Sequence, residues 1–160
     1  MATARGTRLR EERNMPSPAR VYLVVSGIFL VGLAAIGFLY NSSFPTAADE
    51  VSENSSHVFG VLETNGWHNL AGMMSGLLAL TFATRAEWSS FGAMFKGLFY
   101  VIVTSAIGIW GGDTFWLASN SADQILHASL AVGGVGSALV TRRMTSQDSS
   151  SDPNARTRTD

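Results

Sequence analysis

Apolar residues fall into four long runs that polar connections separate. The first run, residues 21–40, contains no charged side chain and is long enough to cross a hydrocarbon core of about 30 Å as a helix. Residues 67–84, 95–110 and 125–140 form three shorter runs, near the lower limit of length for a membrane span. Short, Gly-rich helices usually insert beside neighbours rather than alone. The pattern therefore predicts an all-α integral membrane four-helix bundle.

The first run follows basic residues, so a cleaved signal peptide is the alternative to a permanent helix. "PTAADE" after the run resembles a weak cleavage site. The run is longer than the roughly 7–15 apolar residues of a signal peptide core. We therefore expect it to be an uncleaved membrane helix.

The charges are distributed unevenly among the connections. All 11 basic residues lie before the first run, after the fourth, or around the second connection as Arg85 and Lys96. The other two connections carry only acidic residues: Asp49, Glu50, Glu53, Glu63, Asp113 and Asp123. The positive-inside rule then places both termini in the cytoplasm and predicts a multi-pass protein of the plasma membrane. With Lys96 at the edge of the third run, no charge is expected in the middle of a span.

The polar segments predict no further domain. Residues 1–20 are basic and residues 142–160 contain no apolar run, so both are expected to be disordered cytoplasmic ends around a transmembrane domain at residues 21–141. The connection at residues 41–65 has the composition of a solvated linker, in which His57 should be exposed.

The composition excludes several classes of function. The chain contains no Cys, which rules out disulfides and thiolate metal sites. A net charge of -1 argues against nucleic acid as a partner. The expected partners are the lipid bilayer and other membrane proteins or a second copy, the latter through Gly-rich segments such as "VGGVG".

Two similar short segments indicate that the chain contains two tandem helical hairpins. "AAIGF" ends the first run and "SAIGI" ends the third, and each precedes an acidic connection and a histidine, His68 or His127. A stripe of small residues follows each histidine at helical spacing, and such stripes form the surfaces along which membrane helices pack. The predicted packing residues are Gly72, Ser75, Gly76 and Ala79 in the second run and Ala131, Gly134 and Ala138 in the fourth.

The segments "TNGWHNLAGMMSGLLAL" and "ADQILHASLAVGG", over about residues 20–141, resemble the domain of unknown function 4383 family, small four-span membrane proteins found largely in bacteria. The matching residues are Asn65, His68, Asn69, Gly72, Gly76, Asp123 and His127. Trp67 departs from the pattern, in which an aliphatic residue precedes the histidine. The resemblance implies the four-span fold and carries no activity with it.

A structural role is the first interpretation of the polar residues at the helix starts. We expect Asn65, His68, Asn69, Asp123 and His127 to form a polar cluster. An Asp–His or Asn–His hydrogen bond within it would join the second and fourth helices, at about 0.6–2 kcal/mol per bond. This interpretation predicts a non-catalytic scaffold or accessory subunit without a cofactor.

Other functions stay open as alternatives. His68 and His127 could ligate haem, or share a metal with Asp123 and Glu63. The same histidines are the candidates for proton or small-solute transport. An enzyme is disfavoured because the chain contains no nucleophile-elbow, zinc-protease or phosphate-loop motif.

Overall fold

The protein is mostly helical, with a small β-hairpin at one end. The structure, a computed structural model, describes residues 16–112 and 114–150. Its elements are α1 (Pro18–Tyr40), α2 (Ala48–Glu53), β1 (Ser56–Val58), β2 (Leu62–Thr64), α3 (Gly66–Ala83), α4 (Ala86–Trp110), a 3-10 turn (Thr114–Trp116) and α5 (Ser121–Ser150).

Three helices have the length and composition to cross a membrane: α1, α4, and α5 over Ser121–Gln147. The 18-residue helix α3 is not among them, because polar residues such as His68 and Asn69 in its first turn lower its hydropathy. The structure therefore supports a membrane protein with three clear candidate spans, where the sequence predicts four.

Glycine contacts bring the helices together in two close pairs. A Cβ added to Gly76 of α3 would lie 2.9 Å from the carbonyl oxygen of Gly27 in α1. A Cβ added to Gly134 of α5 would lie 2.7 Å from the Cα of Gly97 in α4. The two pairs also pack against each other, and one buried cluster contains residues of all four long helices. In the first pair, residues 41–65 with α2 and the hairpin connect α1 to α3, and in the second pair a shorter connection joins α4 to α5.

Helix α4 begins at Ala86 instead of residue 95, which changes the place of Lys96. The polar residues before residue 95 are also helical. One of them, Ser89, is buried, and its hydroxyl oxygen lies 3.2 Å from that of Ser17. Lys96 consequently lies well inside α4, only 5% exposed. The prediction that no charge lies in the middle of a span is wrong for the candidate span α4.

Helix α5 continues to Ser150, so residues 142–150, predicted as disordered, are helical. The hydroxyl groups of Thr145 and Ser146 donate to carbonyl oxygens four residues earlier, at 3.1 and 2.9 Å. Once the apolar part has nucleated the helix, polar residues extend it at little cost. The remaining predicted ends, residues 1–15 and 151–160, lie outside the described residues, and residues 18–20 belong to α1.

The connection at residues 41–65 is folded, so the prediction of a solvated linker is wrong. It contains α2 and an antiparallel hairpin of β1 and β2, and it buries Val51 and Val58. His57 is exposed on the hairpin. Together with residues 114–120 this connection forms a cap over one end of the helices, and we use the word cap for these two segments.

Candidate functional site

A small cavity lies beneath the cap, between the first turns of α3 and α5. Its volume is about 60 Å³, which corresponds to about two water molecules at their share of liquid volume. Most of its lining is apolar, and the polar and titratable residues in the lining are Glu63, Thr64, His68, Asn69, Tyr100, Asp123 and His127. The cavity thus collects most of the residues that the sequence singles out.

Asn65 positions the first turn of α3. Its side-chain oxygen accepts the backbone N–H of His68 at 2.9 Å, and its amide donates to the carbonyl oxygen of Trp116 at 2.9 Å. The first bond is a helix N-cap, the role that Asn fills well. The second attaches α3 to the cap, so a fully buried asparagine fixes where His68 stands.

His68 holds the other part of the cap through its ring. Its Nδ1 lies 2.6 Å from the carbonyl oxygen of Ala118. Because a carbonyl can only accept, Nδ1 carries the hydrogen and donates it. In the neutral imidazole Nε2 is then a hydrogen-bond acceptor.

His127 lies against His68 without a hydrogen bond between them. The two ring centroids are 5.8 Å apart, and the His127 ring lies 5.3 Å from the ring of Tyr100. His127 is buried, and its Nδ1 has no partner among the described residues. A buried polar atom without a partner is costly, so this nitrogen marks a position that a ligand or water would satisfy.

Asp123 joins α5 to the cap instead of bonding a histidine. Its Oδ2 accepts the backbone N–H groups of Glu63 and Asn120, both at 3.0 Å. The expected Asp–His bond between helices is therefore replaced by a bond to strand β2. The reason is the folded connection, which brings free backbone N–H groups to a carboxylate that a solvated linker would have left to the histidines.

Asn69 makes the same kind of attachment. Its amide donates to the carbonyl oxygen of Asn41 at 2.9 Å, and its oxygen accepts the hydroxyl of Thr64 at 2.6 Å. The five residues of the expected polar cluster do come together. Four of them bond to the cap, and His127 remains unbonded at Nδ1.

The small residues lie along the helix contacts. Gly76 meets α1 at Gly27, and a Cβ on Gly72 would lie 3.7 Å from the Cβ of Ala34. Ser75 faces α4, where its hydroxyl lies 3.1 Å from that of Tyr100. The other predicted packing residues are also at helix contacts. Ala79 and Ala138 belong to one buried cluster and Ala131 to a second, while Gly134 contacts Gly97.

Lys96 forms a second polar site that the sequence analysis missed. Its ammonium donates to the hydroxyl of Ser26 at 2.8 Å and lies 5.6 Å from the ring centroid of Tyr22. Within residues 16–112 and 114–150, no carboxylate forms an ion pair with it. The spacing of residues in the sequence could have predicted this position. Lys96 lies four residues after Gly92 and four before Tyr100, which puts it on the packed face of a longer α4.

The geometry offers little to a metal or haem. In the part of the chain that the structure describes, no three His, Asp or Glu side chains are arranged to hold a metal ion. The cavity of about 60 Å³ is also far below the roughly 300–1,000 Å³ of pockets that hold cofactors. His68, His127 and Asp123 are neighbours, but they do not form a metal-binding set.

These features define a helical membrane protein with a small cavity under a folded cap and a buried lysine inside one candidate span. The family model of the Domain of unknown function (DUF4383) matches residues 20–140. The chain belongs to this family, as the histidine-bearing segments predict. Neither a curated protein nor a solved structure matches the chain.

Proposed function

We propose that the protein crosses the cell membrane four times, as two tandem hairpins, with both termini in the cytoplasm and the cap outside. The side chain of Arg20 in α1 donates to the carbonyl oxygen of Ala83 in α3 at 2.9 Å, which brings Arg85 to the same end. The cap end carries acidic residues such as Glu63. This charge asymmetry supports the orientation, and 18 residues of α3 extend about 27 Å, close to the hydrocarbon thickness.

Labelling of single cysteines tests this topology without background, because the chain has none. We expect a membrane-impermeant maleimide to label Glu53→Cys in intact cells, since Glu53 is an exposed residue of the cap. Ala86→Cys, at the opposite end, should react only after permeabilisation. Labelling of Ala86→Cys in intact cells, or of both variants, would contradict the proposed arrangement.

We further propose that the protein is a non-catalytic accessory subunit of a membrane complex. The observation that carries this proposal is Lys96, a buried lysine inside a span with a hydroxyl as its hydrogen-bond partner. An ionised group removed from water costs several kcal/mol unless it is paired, and ionisable residues within membranes usually pair with one another. A transmembrane helix of another protein with a mid-depth carboxylate would supply the missing charge.

A groove beside Lys96 supports this kind of partner. It lies between α3 and α4, has a volume of about 340 Å³ and is almost wholly apolar. Ala71, Ser75 and Ala79 line it at four-residue spacing, the arrangement that lets membrane helices approach closely. A second copy of the chain is the less suitable occupant, because these helices offer Lys96 no carboxylate at mid-depth. Helices α1 and α3 contain no acidic residue, and the acidic residue of α4, Glu87, lies in its first turn.

Purification of the tagged protein in a gentle detergent tests the accessory role. Native mass spectrometry should find a stoichiometric second chain with Asp or Glu inside a span. Lys96→Met should reduce its recovery at least tenfold, Lys96→Arg should retain it, and Arg143→Met, an exposed control, should change nothing. Recovery of the wild-type protein alone, or a partner indifferent to Lys96→Met in a folded variant, would reject the proposal.

Proton or small-solute transport is the second candidate, and one arrangement favours it. Lys96 and Tyr100 lie one turn apart on α4, and the Tyr100 ring contacts His127, which contacts His68. Titratable groups therefore extend from the middle of α4 to the cavity. Purified protein in liposomes with an internal pH dye should then show a proton flux that His68→Ala and Lys96→Met abolish. An equal flux in wild type, variants and empty liposomes would remove this candidate.

A further inference from the structure

The cavity beneath the cap contains a buried nitrogen that no described group satisfies. His127 is only 6% exposed, and its Nδ1 has no hydrogen-bond partner among residues 16–112 and 114–150. The nitrogen belongs to a ring that lines a cavity with room for a small molecule. An unsatisfied polar atom beside an available volume points to a bound ligand.

The lining of this cavity determines the charge of that ligand. His68 presents Nε2 as an acceptor, because its Nδ1 donates to Ala118. Two acidic residues, Glu63 and Asp123, are among the lining residues, although Oε1 of Glu63 also accepts the hydroxyl of Ser55 at 2.6 Å. Within residues 16–112 and 114–150, no Lys or Arg lines this space. The ring of Tyr100 adds an aromatic face, which attracts cations. Acceptors, carboxylates and an aromatic face together favour a small cation that donates hydrogen bonds.

We propose that the cavity binds an ammonium ion. Ammonium has four N–H donors and the size of a water molecule, so it fits a volume of about 60 Å³. One donor would satisfy a nitrogen of His127, a second would reach Nε2 of His68, and a carboxylate would balance the charge. Water would satisfy the nitrogens without balancing the carboxylates. Potassium would balance the charge but has no hydrogen to donate. This site does not depend on the accessory role proposed above.

Nitrogen NMR of the imidazole rings tests the site in the folded, full-length protein. The histidines are labelled with ¹⁵N in a His57→Gln background, which leaves His68 and His127 of the three. Ammonium chloride is then titrated at fixed pH and ionic strength against potassium chloride and tetramethylammonium chloride. We expect saturable shifts of the His68 and His127 signals with ammonium alone, and a parallel rise in the thermal unfolding midpoint.

Two variants locate the binding. His127→Gln should weaken the ammonium response of His68 at least tenfold, and Glu63→Gln should weaken it by a smaller factor. The matched control, Glu53→Gln in the exposed part of the cap, should leave it unchanged. Both readouts also apply to the wild-type protein, so a variant that fails to fold does not decide the result.

Three outcomes would overturn the proposal. An absence of any saturable shift in the wild-type protein would mean that water alone fills the cavity. Equal responses to potassium and ammonium would mean a site that recognises charge without hydrogen bonding. Shifts that follow pH and ignore ammonium at every pH would mean that the histidines bind only protons.

Discussion

The two histidines of the cavity differ in how their nitrogens are used. His68 donates from Nδ1 to Ala118 across 2.6 Å, while His127 has a buried nitrogen without a partner. A net hydrogen bond contributes about 0.5–1.5 kcal/mol, and an abandoned buried partner costs about 1–3 kcal/mol. The rings therefore look equivalent in the sequence but should contribute unequally to stability.

In buffer without ammonium, we expect His68→Leu to lower the free energy of unfolding by about 1–3 kcal/mol, because the carbonyl of Ala118 loses its donor. His127→Leu should be neutral or stabilising, since it removes a polar atom that bonds to nothing described. Thermal unfolding in detergent, followed by circular dichroism, measures both. Equal losses in the two variants would contradict the assigned roles.

The residues of the cavity could be predicted from the sequence better than their bonds. Asn65 and His68 stand at a helix start that the polar-to-apolar transition marks, and Asp123 and His127 repeat that arrangement. Their partners could not be predicted, because they are backbone groups of a cap whose strands, Ser56–Val58 and Leu62–Thr64, are too short to give an alternating pattern. The position of Lys96 was predicted wrongly because the start of α4 was predicted from hydropathy alone.

At the scale of the helix, the sequence predicts which helices exist but not how long they are. The apolar runs identify α1, α3, α4 and α5, but polar turns at the start of α4 and the end of α5 carry no hydropathy signal. Those turns are held by packing and by hydroxyl bonds such as that of Thr145 to Thr141. Helix contacts, in contrast, depend on a few glycines that the small-residue stripes indicate.

Two glycines of α5 provide a matched pair for these contacts. Gly134→Ala would put a methyl group 2.7 Å from the backbone of Gly97, and we expect it to destabilise the protein by about 1–3 kcal/mol through overpacking. A Cβ at Gly136 meets nothing within 4 Å, so Gly136→Ala should be neutral or stabilising by up to about 1 kcal/mol.

The unfolding midpoints of the two variants decide this prediction. Both substitutions add the same methyl group to the same helix, so their propensity effects are matched. If Gly134→Ala were as stable as Gly136→Ala, the close approach of α4 and α5 would be wrong.

At the scale of the whole molecule, the cap adds a second connection between the two helix pairs, which also share one buried cluster. Asn65 and Asn69 attach it to α3, while Asp123 attaches strand β2 to α5. The hairpin is therefore held from both pairs at once. This part of the fold was outside the reach of the sequence analysis, because it rests on contacts between residues about 60 positions apart.

Asp123→Ala should loosen this connection. It leaves the backbone N–H groups of Glu63 and Asn120 without their acceptor, so we expect amide hydrogen exchange at residues 56–64 to rise at least tenfold. Asp49→Ala, an exposed residue of α2, should leave the exchange rates unchanged. Mass spectrometry of peptides from the cap measures both.

An unchanged exchange rate in folded Asp123→Ala would mean that β2 is held by its own hairpin alone. In that case the cap would belong to the first pair of helices only, and Asp123 would serve the first turn of α5.

The glycine contacts also have a mechanical consequence. Gly27 against Gly76, and Gly97 against Gly134, interlock backbones so closely that sliding within a pair would force atoms into one another. Between the pairs lie two mostly apolar grooves, of about 340 and 720 Å³, and side-chain bonds such as that of Lys96 to Ser26 cross from one pair to the other. The contacts within a pair are made by backbone atoms and the bonds between the pairs by side chains, so we expect any displacement of the helices to occur between the pairs.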